Sequence, residues 1–201
     1  MSAAGEAFLN KIGPAIHPEN TGIRFPKRHS QLSWERIISE IGAGWFMDGF
    51  LYLFGAKVSI FNSILKQWEF LIGSEVNRSV IGKNAYGALL VIEGPDEKGV
   101  VARVGLLDPL AIKYWTDDNL LLMNLIGNWL PQEKLPNFLS NSIFEEWRSV
   151  HDQVLELDEI LAIKTPLSLG GKMELSNFQV ENIFDYYATT APIYEKALNK
   201  K

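Results

Sequence analysis

The chain has no cysteine among its 201 residues. That removes disulfides, thiolate nucleophiles and cysteine-based metal sites together, and it fits a reducing compartment. Histidine is scarce too: His17, His29 and His151 stand far apart, in neither H-E-x-x-H nor H-x-x-x-H spacing. Each therefore reads as a structural or surface residue, and no metal or other cofactor is expected. No G-x-S-x-G elbow occurs, and Gly82-Lys83 is followed by Asn84, not by the hydroxyl residue that completes a P-loop. "GAGWFMDG" carries glycines at 42, 44 and 49 and so misses the dinucleotide fingerprint G-x-G-x-x-G. Positive charge is not in excess: the net charge is −5 and the pI is near 5.3, which argues against direct nucleic-acid binding. Long apolar runs are missing as well. The most apolar stretch, "NLLLMNLIGNWL" (119–130), is interrupted by Asn124, Gly127 and Asn128; it is too short to span a bilayer and reads as a buried helix. The N-terminal stretch has neither the basic nor the apolar region of a signal peptide, so a cytoplasmic protein with no membrane partner is expected.

What is abundant is apolar and aromatic. Hydrophobic residues make up 47% of the chain, and six Trp, six Tyr and eleven Phe run from Phe8 to Tyr194, enough for one compact unit with a sizeable core. "SWERIISEIGAG" sets Trp34, Ile37, Ile38 and Ile41 on one helical stripe, with Ser33 as N-cap and Gly42 as stop. "DGFLYLFG" reads as a strand, and Phe61, Ile64, Leu65, Trp68, Leu71 and Ile72 as a core-facing helix. The β-branched run from Tyr86 predicts an antiparallel meander of three strands, 87–93, 99–106 and 110–115, with "EGPDEKG" as a turn. Two Ser-x-x-Glu/Gln capping boxes, Ser142 with Glu145 and Ser176 with Gln179, mark later helices. The last would bury Val180, Phe184, Tyr187, Ala191, Tyr194 and Leu198, with a kink at Pro192. Trp68, Trp129 and Tyr187 are expected in the core. The fold class is α+β: an antiparallel meander packed with helices. A region 1–135 would be followed by a helical region 136–201, the two packed as one unit.

Three acidic pairs, Asp117-Asp118, Glu145-Glu146 and Asp158-Glu159, could supply a general acid and base if folding paired them. Acids at helix starts also need no catalytic reason. Exposed acids offer a surface to a basic partner: Asp96 and Glu97 in the hairpin turn, Asp117 and Asp118 after the third strand, and Glu145 and Glu146 at a helix start, with Trp115 as an aromatic anchor. The basic cluster Arg24, Lys27 and Arg28 is the alternative contact.

"LDEILAIKTPLSLGG" (157–171) holds Asp158-Glu159 and then Pro166-Leu167-Ser168-Leu169-Gly170-Gly171, a bend before a short strand and the last helix. It resembles the C-terminal signature of a bacterial family in which an acidic short helix leads to an LGG turn. Gly42, Gly44, Asp48 and Gly49 resemble that family's N-terminal helix, glycine-bearing turn and Asp-Gly strand, Tyr86-Gly87 in "NAYGALLVI" its "tafGdlf" strand, although Ala88 stands where the family carries an acid, and "VGLLDP" its Leu-Asp-Pro turn. The family is the GAD-like domain joined to the C-terminal domain of type VI secretion immunity proteins, and the resemblance covers about residues 30 to 195. It implies a GAD-like region, then an immunity-type region, in a cytoplasmic antidote that binds and blocks a cognate secreted toxin, often a DNase, without chemistry. Two other readings stay open from the residues: a hydrolase using a carboxylate pair, and a ligand-binding or tRNA-related accessory module.

Overall fold

A computed structural model describes residues 1–22, 36, 38–74, 77–94, 103–121, 124–167 and 170–198. Its centre is a six-stranded antiparallel sheet in strict meander order: β1 Gly44–Phe46, β2 Leu51–Leu53, β3 Arg78–Asn84, β4 Leu89–Glu93, β5 Arg103–Asp108 and β6 Lys113–Leu121. A separate hairpin pairs β7 Glu159–Ile163 with β8 Phe178–Asn182. The helices are α1 Ala3–Ile12, α2 Asn62–Gln67, α3 Glu69–Ile72, α4 Ser142–Val150 and α5 Ile183–Leu198. The architecture is α+β, as the pattern of elements predicts.

Both faces of the sheet are buried, which explains why β2 and β4 read as continuous apolar runs. One face carries Phe46, Leu51, Leu53, Ile81, Leu90, Val104 and Leu106 against α1, residues 38–41, residues 125–130 and α4. The other carries Tyr52, Val80, Leu89, Val91 and Leu107 against α2, α3 and α5. The small hairpin serves both, with Leu161 and Ile163 in the first core and Ile160 and Ala162 in the second. Regions 1–135 and 136–201 therefore share their cores.

Several elements depart from the sequence reading. The predicted helix 61–72 breaks at Trp68 into α2 and α3. The stretch expected as a helix at 119–130 begins as the end of β6, and only 125–129 coil, as a wide π-type turn. Strands β1, β3 and β7 were not expected, and the region 136–201 is not wholly helical. The last helix starts at Ile183, not at the Ser176 box: 175–177 form a short turn and Val180 lies in β8. Asn182 caps it instead, its Oδ1 accepting the Phe184 N–H at 3.0 Å. Trp68 and Tyr187 are fully buried, whereas Trp129 is only half-buried. Trp34, Ile37, Ser33, His29, residues 95–99 of the "EGPDEKG" turn (93–99) and the cluster Arg24, Lys27 and Arg28 lie outside the described residues.

Two details of the sheet margins complete the frame. Ile16 N–H donates to Trp45 O at 2.8 Å and Glu19 N–H to Ala43 O at 2.8 Å, laying residues 16–19 along β1. In β6 the register jumps from Thr116 opposite Gly105 to Leu121 opposite Arg103, so residues 117–120 bulge out.

Candidate functional site

The turn after β3 is the junction of the molecule. Asn84 is buried, and its Oδ1 accepts the N–H groups of Tyr86 and Ala88, both at 3.0 Å, while its Nδ2 donates to Phe138 O at 3.0 Å. Gly87 takes φ +84°, a conformation natural to glycine. Its carbonyl accepts the Tyr187 hydroxyl at 2.8 Å, and Leu161 N–H donates to Ala85 O at 2.8 Å. One tight turn thus ties the sheet to the hairpin, to α5 and to the loop before α4.

Tyr86 does the same for α4. The expected Ser142 box does not form, because Ser142 is already inside the helix and Asn141 precedes it with no side-chain cap. The Tyr86 hydroxyl accepts the Phe144 N–H at 3.0 Å, satisfying a free donor of the first turn. Burial pushes that phenol up to about 12. Asn141 Nδ2 donates instead to Glu145 Oε1 at 2.7 Å.

Two hollows flank this helix start. The first, about 510 Å³, is an open groove whose polar lining includes Asp48, Asn141, Glu145 and Arg148. Asp48 is presented there by a turn in which Met47 and Asp48 both adopt left-handed backbone, at φ +51° and +53°. The second, about 250 Å³, is narrower and lies between Tyr86, Asp108, Ser140, Ser142 and Leu167. Its walls come from the Tyr86-Gly87 turn, the Leu107-Asp108-Pro109 turn, the α4 start and the stretch leading into Gly170-Gly171. Asp108 Oδ1 accepts Leu110 N–H at 2.9 Å and Ala111 N–H at 3.2 Å, and burial raises its pKa above the ordinary carboxylate value.

The wall that includes Leu167 is held by Asn177. Its Oδ1 accepts Thr165 N–H at 2.9 Å, and its Nδ2 donates to Thr165 O and Lys172 O, each at 3.0 Å. A Cβ on Gly171 would sit 1.9 Å from Thr165 O, so only glycine fits there. The "LGG" phrase is built for shape.

Of the acids singled out from sequence, Asp96, Glu97 and the Asp118 side chain lie outside the described set. Asp117 and Asp118 do not start a helix: they sit in the β6 bulge, where Asp117 Oδ1 accepts Asn119 N–H at 2.7 Å. Glu145 and Glu146 are exposed on α4, and no hydrogen bond or ion pair among the described residues joins them to Asp117. Trp115 is half-buried against Trp129, ring centres 5.2 Å apart. Asp158 and Glu159, expected in a short helix, fall in a turn and at the start of β7. Asp158 Oδ2 accepts Asn182 Nδ2 at 3.0 Å and its carbonyl accepts Ile183 N–H at 2.7 Å.

That pair faces a residue the sequence reading passed over. Lys83 on β3 has no exposed surface; its Nζ donates to Glu159 O at 2.6 Å and lies 5.5 Å from the Trp45 ring centre and 5.8 Å from that of Phe61. Burial pulls its pKa down to about 7, against the opposing pull of Asp158 and Glu159. Its signal was a lysine inside the apolar run "VIGKNAYGALLVI". His151 stacks on Trp147 with ring centres 5.2 Å apart. Among the described residues no group of three or more His, Asp or Glu could hold a metal ion, and no helix is long and apolar enough to cross a membrane.

No family model and no curated protein matches the chain. Among solved structures it is similar to Atu4351 from Agrobacterium tumefaciens, with a TM-score of 0.59 and 15% identity over 96% of this chain and 88% of that one. At such identity the likeness is one of fold, and function has to be argued from the surface and its chemistry.

Proposed function

We propose that the chain is a cytoplasmic immunity protein that binds a cognate secreted nuclease toxin, a DNase by the resemblance, and silences it by covering its active site or DNA-binding surface. The observation that supports this reading best is the convergence of its signature turns. Tyr86, Asp108 and Leu167 belong to three separate phrases that resemble the immunity family, and they line one pocket. Across the two hollows beside the α4 start, Asp108 in the pocket and Asp48 and Glu145 in the open groove outnumber Arg148, in keeping with a net charge of −5 and a basic nuclease surface. An inhibitor needs rigid walls and matched charge, and the Asn84, Tyr86 and Asn177 hydrogen bonds supply the rigidity. The test is co-expression with the toxin encoded beside this gene. Cells carrying both should survive and the two proteins should co-purify one to one; unchanged killing at normal levels of folded protein refutes the reading.

A further inference from the structure

The narrow pocket beside α4 has a chemistry more specific than general acidity. At about 250 Å³ it falls below the roughly 300–1,000 Å³ typical of cofactor and drug-sized sites, so it suits one side chain. Leu110, Ile143 and Leu167 give it apolar walls, Ser140 supplies a hydroxyl, and among the described lining residues Asp108 is the one charged group. Asp108 Oδ1 is committed to two backbone N–H groups, while Oδ2 takes no hydrogen bond among the described residues. A half-buried carboxylate with one oxygen free of protein donors can take a charge-assisted hydrogen bond from a cation. A long apolar stem ending in positive charge matches this lining, and that is the chemistry of lysine and arginine.

We propose that this pocket receives one lysine or arginine side chain of the partner protein, with Asp108 as its counter-charge. The proposal deepens the immunity reading and rests on it for the partner's identity. The partner's anchor would enter between the Leu-Asp-Pro turn and the α4 start, and its ammonium or guanidinium would meet Asp108 Oδ2. Nothing covalent takes place.

The test begins without a toxin. The full chain is titrated with Nα-acetyl-arginine methylamide and Nα-acetyl-lysine methylamide, and the methyl resonances of Ile143, Leu167 and Met173 are followed by NMR. Saturable shifts are expected with at least one cation and not with the uncharged Nα-acetyl-glutamine methylamide. Asp108→Asn keeps an oxygen for the Leu110 and Ala111 N–H groups and should still fold, yet bind about thirtyfold more weakly or worse. Leu167→Trp, which fills the pocket from its wall, should abolish the shifts with the carboxylate intact. Equal response to the glutamine analogue, absence of saturation, or an unaltered Asp108→Asn titration overturns the proposal. So does agmatine binding more than about tenfold tighter than the capped arginine, which would point to a free amine as ligand. In a second arm the toxin's dissociation rate from Asp108→Asn is compared with wild type, and an equal rate overturns the anchor role. Failure of the wild type to bind the toxin sinks the immunity reading, while the titrations still decide the pocket.

Discussion

Replacing Lys83 with methionine probes a buried amine whose pKa burial brings toward neutrality. In the unfolded chain this amine holds its proton to about pH 10.4, whereas in the folded chain burial brings its pKa down to about 7. Between those values the unfolded state binds more protons, so stability rises with pH in that window. Integrating from pH 7 to pH 9 gives a gain of about 2 kcal/mol for the wild type. Above about pH 10 the sign reverses. Burial raises the phenols of Tyr52, Tyr114, Tyr186 and Tyr187, so the unfolded chain loses those protons first and stability falls. Urea unfolding followed by tryptophan fluorescence at pH 7, 8 and 9 reads the slope directly. Lys83→Met should flatten it while leaving Glu159 O without its donor, a loss of about 1–3 kcal/mol that is independent of pH. A wild-type midpoint that does not move between pH 7 and 9, or a variant that keeps the wild-type slope, would refute the reasoning.

Trp68→Ala should cost about 3–5 kcal/mol, because its ring is wholly buried and its Nε1 donates to Tyr187 O at 3.1 Å; Trp129→Ala, half-buried, should cost less than half as much in the same urea titration. Gly171→Ala should lose about 1–3 kcal/mol through its clash with Thr165 O and expose 164–172 to limited proteolysis. Gly170→Ala has φ +88° but open space, so about 1 kcal/mol is expected there, and equal losses at the two positions would contradict the packing of the turn. If the proposed toxin is the partner, reversing Glu145 and Glu146 to lysine should slow its capture at low salt, with the difference fading above about 0.3 M; stopped-flow rates that match wild type at low salt would remove these acids from the encounter surface.

The parts of the fold legible in the sequence are those where one physical signal dominates. "FLYLF" and "ALLVI" read as strands because both faces of the sheet are buried and only a strand of that length accommodates such a run. β3 was not legible because its core positions include Lys83 and Asn84, polar groups whose partners, Glu159 O and Phe138 O, are far away in sequence. The start of α5 was misplaced because the Ser176 box is a local signal, and the pairing of β8 with β7 overrides it. At the pocket, each turn could be recognised singly, but no spacing rule brings Tyr86, Asp108 and Leu167 together. Only the meander and the hairpin do that. Glu145, which charge patterning marks, lines the open groove on the other side of the α4 start and not this pocket; Asp108 is legible only as part of a turn, and its second oxygen becomes visible only with its surroundings.

The margins of the large sheet bear on how many copies of the protein a cell can hold. A straight, uncovered edge strand invites pairing with another molecule, and growth by that route has no natural end. Here one margin is already occupied by residues 16–19 along β1, and the other is interrupted at residues 117–120. Neither offers a second molecule a long unbroken ladder. Edge-to-edge growth of this sheet would first have to displace residues 16–19 at one margin or straighten the bulge at the other, so the chain carries its own obstacle to stacking.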